Sequence, residues 1–380
     1  MKNVIPFSKN VMLGNDARYV MGVIENNQIS GAQPVSKKVE NLLKKKINPL
    51  AKILLTPSCT HSLEITSILL NLKPGDEVIV PSYTFVSTAL AFYMHGAKLV
   101  FADIKLDTLN IDETKIENLI TKKTKAIIVV HYAGVSCEMN EIMKIGNKYN
   151  LCIIEDNAHG LFGKYHDQKL GSIGHMSTLS FHQTKNITCG EGGALIINDL
   201  NFYERAEIIR EKGTDRSKFL RGEVDKYTWV DKGSSYILSD ILSAVLLYQL
   251  ELLKKIQTKR KKIWDKYHKN LNYWCNKNYI IQPSIPSYCK QSYHMYYLLL
   301  PNEKLRNKFI NYLSKNQIIA VSHYQPLHIS PFVKKRSIIK KDNCPITTEI
   351  SKRIVRLPFF YNITDKQHLK VINTILKFDF

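Results

Sequence analysis

No run of apolar residues in this 380-residue chain is long enough to span a bilayer. The opening stretch MKNVIPFSKNVMLG has none of the uninterrupted apolar character of a secretory signal, because Pro6 and polar residues break it. Paired cysteines are missing too. The seven present (Cys59, Cys137, Cys152, Cys189, Cys275, Cys289 and Cys344) form no CxxC pair and no metal-ligand spacing. That excludes a disulfide framework or a bound metal and points to a reducing cytoplasm. The segment LTPSCTHS, after the first predicted strand, holds no glycine, which excludes the G-x-G-x-x-G fingerprint of a dinucleotide dehydrogenase. Acidic residues are scarce: 33 Asp and Glu face 54 Lys and Arg, a formal net charge of +21. Such an excess suits nucleic acid, anionic membranes or phosphate-bearing substrates. The clusters Lys44-Lys45-Lys46, Lys259-Arg260-Lys261-Lys262 and Lys334-Lys335-Arg336 lack interleaved aromatics, however. With no nucleic-acid motif beside them, they read as solvated faces.

What is present is a globular composition, 44% hydrophobic and 23% charged, at a length that predicts two domains. Between about residues 50 and 200, short β-rich runs alternate with helical periodicity. KILLT, DEVIVPSYTF, KLVFADI, KAIIVVHY and LCIIED are the strands; THSLEITSILLNL, VSTALAFYMHG, DETKIENLI and EMNEIMKIGNKYN are the helices between them. Pro74-Gly75, Gly96 and Asn150 fall at the expected turns. This alternation predicts an α/β fold with a mainly parallel sheet covered on both faces. STLSF and GGALIIN add two strands, followed by helical stretches at FYERAEIIREKG and over 239–270. A large domain is expected over 1–250, and a smaller α/β domain with its connecting helix over 251–380. Within the latter, QPSIPSYCKQSYH reads as a connection.

Ligands of an open parallel sheet bind beyond the carboxyl ends of its strands. Four such ends carry unusual residues. TPSCTHSLE turns at Pro57-Ser58 and starts a helix near Thr60, which offers either a phosphate cradle or ordinary N-capping. Tyr83 and Phe85 in VPSYTFVSTA are either core residues or partners for a planar ring. Glu155 and Asp156 end a strand that otherwise looks fully buried, where a carboxylate needs a cation unless it caps the next helix. Lys185 in SFHQTKN is either a hairpin lysine or a cleft amine of lowered pKa, able to attack carbonyls. Gly190, Gly192 and Gly193 allow the backbone close to a bound group. Together these four ends meet the demands of pyridoxal phosphate: an amine for the aldehyde, a carboxylate for the pyridine nitrogen, a stacking ring and donors for the phosphate.

PSYTFVSTA, EDNAHG, GSIG, SFHQTKN, GEGG and HYQPLH occur in that order, and with them the chain resembles the DegT/DnrJ/EryC1/StrS sugar aminotransferases nearly end to end. The resemblance implies the type I pyridoxal-phosphate-dependent aminotransferase fold. It also implies Lys185 as the cofactor-linked amine and proton shuttle, and Asp156 as partner of the pyridine nitrogen. His159 would lie beside the cofactor, Phe85 would stack on its ring, and Thr60, His61 and Ser180 would hold its phosphate. REKGTDRSKFLRGEVDKYTW and DKGSSYILSD are similar to the branch that makes dTDP-4-amino-4,6-dideoxygalactose. There Ser235 replaces the family's phosphate-binding Asn from a neighbouring subunit, and Ile237 the following Arg. The implied reaction passes an amino group from L-glutamate, by way of pyridoxamine phosphate, to dTDP-4-dehydro-6-deoxyglucose in a homodimer with shared sites. Lys212, Arg216, Arg221 and Lys226 are candidates for the nucleotide diphosphate, and His323 for the sugar. Another nucleotide 3- or 4-ketosugar is the alternative substrate. The family's dehydratases carry His where this chain has Lys185. Neither nucleic acid nor membrane insertion is expected; an O-antigen or enterobacterial common antigen precursor is the implied destination.

Overall fold

Short runs of β-branched and aliphatic residues, each closed by a turn former, make the strands of one sheet. They are β1 (Lys52–Thr56), β2 (Glu77–Pro81), β3 (Lys98–Ala102), β4 (Thr124–Val130), β5 (Cys152–Asp156), β6 (Met176–Ser180) and β7 (Gly193–Ile197). The structure, a computed structural model, describes residues 4–10, 12–335 and 343–380; Arg336 of the third basic cluster lies outside them. The strand order is β1-β7-β6-β5-β4-β2-β3. The five strands from β6 to β3 run parallel, and β7 is antiparallel to both its neighbours. Most of the strands read as near-continuous apolar runs because such a sheet is covered on both faces, while β6 (MSTLS) and the Glu155-Asp156 end of β5 bury polar side chains. The α/β sheet expected from the alternation is the one found.

The main helices before the C-terminal part are α1 (Asp16–Glu25), α2 (Pro34–Ile47), α3 (Cys59–Leu69), α4 (Val86–Met94), α5 (Met139–Tyr149), α6 (Tyr203–Arg210), α7 (Asp240–Glu251) and α8 (Leu253–Lys277). DETKIENLI forms only one α-turn, Glu113–Ile116, and a 3-10 turn, Glu117–Leu119. The stretch over 239–270 is two helices that meet at Leu252. Two caps locate the ends that matter. Ser58 Oγ accepts from the His61 amide at 3.1 Å and starts α3 directly after β1. Helix α2 has no cap of its own; Asp240 of α7 accepts from the Val35 and Ser36 amides at 2.8 and 3.1 Å.

The C-terminal part adds β8 (Tyr297–Leu299), α9 (Glu303–Lys315), α10 (Pro345–Arg353), β9 (Ile354–Arg356) and α11 (Asp365–Leu376). Strands β8 and β9 pair antiparallel. Trp264, Tyr267, Leu271 and Trp274 of α8 pack there with Phe309, Val355, Val371 and Ile375. Ile256, about two turns earlier on α8, packs instead with the sheet-side core of Ile53, Leu179 and Leu246. Ile5 crosses from the N-terminus into the C-terminal core, and Phe7 O accepts from the Phe359 amide at 3.0 Å. Among the described residues no helix is long and apolar enough to cross a membrane.

The second basic cluster differs from its reading as a solvated face at one position. Arg260 is buried, its guanidinium donating to the carbonyls of Tyr293 and His294 at 3.0 and 2.5 Å and lying over the Phe359 ring at 4.7 Å. Lys261 and Lys262 are exposed. Helix periodicity turns the 260 position inward, so one residue of a charge run serves the interior.

Candidate active site

The carboxyl ends of β1, β2, β5 and β6 open on one cavity of about 610 Å³. Ser58, Cys59, Thr60, Phe85, Asp156, His159, Ser180 and Lys185 line it from the sheet side. His323, Tyr324, Arg356 and Phe359 close it from the C-terminal part, and Phe7 and Ser8 from the N-terminal segment. The cavity therefore depends on the N-terminal crossing as well as on the sheet.

Glu155 and Asp156 end the same strand but point to opposite faces, as neighbours on a strand must. Glu155 is fully satisfied. Its carboxylate accepts from the amides of Gly171, Ile173 and Gly174 at 2.7–2.8 Å and lies 2.9 Å from His131 Nε2. Burial opposes its charge, yet His131 and these amides outweigh burial and hold its pKa below the ordinary carboxyl value. Asp156 faces the cavity, 5% exposed, and accepts only from Thr88 Oγ1 at 2.7 Å and the Ala158 amide at 3.2 Å. No cation lies within 4.0 Å of it among the described residues. Burial therefore raises its pKa, against the pull of Thr88, Ala158 and Lys185.

Lys185 sits in the connection between β6 and β7, its amide bonded to the His182 carbonyl at 2.9 Å. Desolvation lowers the pKa of its amine; the Cys59 thiol and Asp156 oppose that shift and Arg356 adds to it. Beside it, the first turn of α3 offers the Cys59 and Thr60 amides that no helix satisfies internally. Thr60 Oγ1 donates to Ser87 Oγ at 2.8 Å, while Ser180 at the end of β6 pairs with Gly193. A Cβ at Gly193 would stand 2.3–2.5 Å from the Ser58 carbonyl and the Cys59 amide. Only glycine lets β7 run this close to the start of α3.

Phe85 caps α4 at the cavity mouth and is 56% exposed. His159 stacks on His294 at 4.2 Å, and its Nε2 lies 3.3 Å from the Tyr324 hydroxyl. Its Nδ1 is buried without a partner among the described residues. His323 stacks on Tyr324 at 3.7 Å, with its Nδ1 2.6 Å from the Tyr132 hydroxyl. Burial pushes the pKa of all three imidazoles well down, which leaves a bank of neutral rings.

Six expected residues are not brought to this cavity within one chain. His61 lies outside the lining, against Tyr236, with its amide already taken by Ser58. Ser235 is exposed and bridges to Glu211. Lys212 and Arg216 pair with Glu211 at 3.8 and 3.2 Å, and Arg221 with Glu207 and Glu223 at 2.8 and 2.6 Å. Lys226 is exposed. Conversely, Thr88, His294, Tyr324 and Arg356 line the cavity without having been singled out. Thr88 lies three residues past Phe85 and was findable from helical spacing; the other three reach the site only through the C-terminal part.

A model of the DegT/DnrJ/EryC1/StrS aminotransferase family matches residues 12–376. An uncharacterized protein of Methanocaldococcus jannaschii, MJ1066, is 37% identical over 90% of both chains. The spore coat polysaccharide biosynthesis protein SpsC of Bacillus subtilis is 31% identical over 84% of this chain and 83% of its own. Among solved structures, the putative sugar aminotransferase Spr1654 of Streptococcus pneumoniae in its PMP-form is 26% identical, covers 98% of both chains and superposes with a TM-score of 0.89. Its PLP-form gives a TM-score of 0.88.

Proposed function

Because this chain belongs to the DegT/DnrJ/EryC1/StrS aminotransferase family, we propose that it transfers the amino group of L-glutamate to the C4 ketone of dTDP-4-dehydro-6-deoxy-D-glucose, with pyridoxal phosphate as cofactor. The product is dTDP-4-amino-4,6-dideoxy-D-galactose, made in the cytoplasm for a surface glycan such as O-antigen. One observation carries the reading: Lys185, in the connection after β6, and the cation-free Asp156, at the end of neighbouring β5, line the same cavity.

The residues fit this cofactor. Asp156 is a buried carboxylate that lacks a cation, which a protonated pyridine nitrogen supplies. His159 Nδ1 is a buried polar atom without a partner. The first turn of α3, with Thr60 and Ser180, is a donor set suited to a phosphate. Phe85, at the cavity mouth, would stack on the ring. When bound, pyridoxal phosphate supplies the electron sink for the charge left at the donor's Cα.

The rest is the work of this chain's side chains. Asp156, steadied by Thr88 and Ala158, keeps a proton on the ring nitrogen. Lys185 Nζ would hold the cofactor at its aldehyde carbon, and the donor would release that amine. The freed amine then takes the Cα proton of glutamate and later returns a proton to C4 of the sugar. Its lowered pKa keeps more of it in the neutral form that can accept a proton. The face from which it delivers sets the galacto configuration. His323, neutral and braced by Tyr132, contacts the sugar. Ser235, Lys212, Arg216, Arg221 and Lys226 serve the neighbouring site of a homodimer. The likeness to SpsC favours a second reading, in which the ketone belongs to another nucleotide sugar.

The test is direct. The purified protein should turn yellow with pyridoxal phosphate, borohydride should fix the cofactor on Lys185, and NMR should show the 4-amino-galacto product. Lys185→Ala should abolish turnover and leave cofactor binding measurable. A protein that stays colourless, or a turning-over Lys185→Ala, would overturn the reading.

A further inference from the structure

Part of the excess positive charge collects where no basic run in the sequence announces it. Lys164–Tyr165, Gln168–Lys169 and Cys289–Lys290 form a separate three-stranded antiparallel sheet. Its register sets Lys164 directly opposite Lys169 on one side and directly opposite Lys290 on the other. Residues paired across antiparallel strands share a face, so three lysines stand side by side in one rung. Tyr165 shows which face that is. Its ring is buried with Ile153 and Leu170, and its hydroxyl bonds to Glu138. Alternation along the strand therefore turns Lys164 and its two neighbours outward. Lys164 and Lys169 are half-buried, and Lys290 is exposed.

Nothing in the chain neutralises this rung. No carboxylate pairs with any of the three amines among the described residues. Burial, then the charges of Lys164, Lys290 and Lys46, lower the pKa of Lys169; Lys46 comes from the last turn of α2. Exposed lysines elsewhere do find partners, as Lys37 does in Glu40, Lys148 in Glu117 and Lys261 in Asp265. Like charges directly opposite one another destabilise a sheet. An anion resting on the rung removes that repulsion. Opposed Cβ atoms lie about 4.5–5.5 Å apart, so the flexible stems can close on one compact group. Lysine meets phosphate as a point charge. A duplex needs a long basic track, and an anionic bilayer gains from basic residues spread over a plane. Strands of two residues each offer neither. None of the four lysines lines the active-site cavity. We infer that Lys164, Lys169 and Lys290, with Lys46 beside them, form a second anion site, which takes the diphosphate group of a small soluble molecule.

This inference is independent of the aminotransferase reading, and its test does not use turnover. Inorganic diphosphate is titrated by calorimetry into the full chain, with and without prior loading of pyridoxal phosphate. In the triple variant Lys164→Gln, Lys169→Gln, Lys290→Gln, affinity should weaken at least tenfold in both states. The triple change of the same positions to Arg keeps the charge and should bind within threefold of wild type. So should Lys254→Gln, Lys255→Gln, Lys262→Gln on α8, which removes the same charge elsewhere. Thymidine diphosphate, titrated in parallel, tells a nucleotide-borne group from a free one by which affinity falls further in the Gln variant. An unchanged affinity in that variant would overturn the inference, and so would an equal loss in the α8 control. Wild type that binds phosphatidylglycerol vesicles but not diphosphate would make the rung a membrane contact and overturn it as well.

Discussion

His159 and His294 are buried and His323 is half-buried around one cavity, and desolvation holds each pKa well below the ordinary imidazole value. His368, in the C-terminal core, is brought down to about 4 by the same cause. In the unfolded chain these rings take up a proton near pH 6.5. Between that value and their folded pKa values the unfolded state binds more protons, so stability falls as pH falls. Their contribution is intact above about pH 6.5, and each fully excluded ring costs about 1.4 kcal/mol per unit below it. Asp156 works in the opposite sense, because its raised pKa makes the folded state the stronger proton binder, but it offers one proton against four. The thermal midpoint of the cofactor-free protein should therefore drop steeply between pH 7 and pH 5.5, and His294→Asn should flatten the slope. A midpoint that stays level over that interval would show these rings to be hydrated.

At the scale of elements, the packing of β7 against the start of α3 decides whether a phosphate cradle exists. Gly193→Ala places a methyl group against the Ser58 carbonyl and the Cys59 amide, both backbone atoms, so the strand or the helix must move. Overpacking of this kind costs about 1–3 kcal/mol, and a shifted first turn no longer presents its amides. Affinity for pyridoxal phosphate, read from absorbance titration, should weaken at least tenfold, and the apo midpoint should fall. Unaltered affinity would move the cradle elsewhere. The elements around this cradle were legible in the sequence because their signals are local. Alternation of apolar runs and helical stretches located all seven strands, and Ser58 and the glycines stand within a few residues of what they serve. Glu155 and Asp156 were legible as a pair, but not which of them was free. That depends on the amides of Gly171 and Gly174 folding back across the strand. Arg356, His294 and Tyr324 had no local signal, and Arg260 looked like surface charge until its carbonyl partners were in place.

At the scale of the whole molecule, the segment from 211 to 235 is tied to α6 by Arg221–Glu207 and Arg205–Asp231 but leaves several large apolar side chains uncovered in its own chain. Phe219, Leu220, Tyr227, Val230 and Trp229 are exposed along it, the last by 79%. Ser235 and the four basic residues assigned to the nucleotide or cofactor lie on the same segment, away from the cavity. The proposed homodimer would account for both facts at once: the segment of one copy would cover its apolar residues against the other and bring Ser235 to the partner's phosphate site. Complementation tests this. Lys185→Ala removes the amine from one site, and Ser235→Asp sets a negative charge against the phosphate of the neighbouring one; each variant alone should be inactive. In a mixed dimer, one site combines the intact Lys185 of one subunit with the intact Ser235 of the other, and the second site carries both defects. After unfolding and refolding of an equal mixture, half of the dimers are mixed, so about one quarter of wild-type activity should return. If Ser235 acts within its own chain, every site in the mixture keeps one defect, and no activity returns at any ratio.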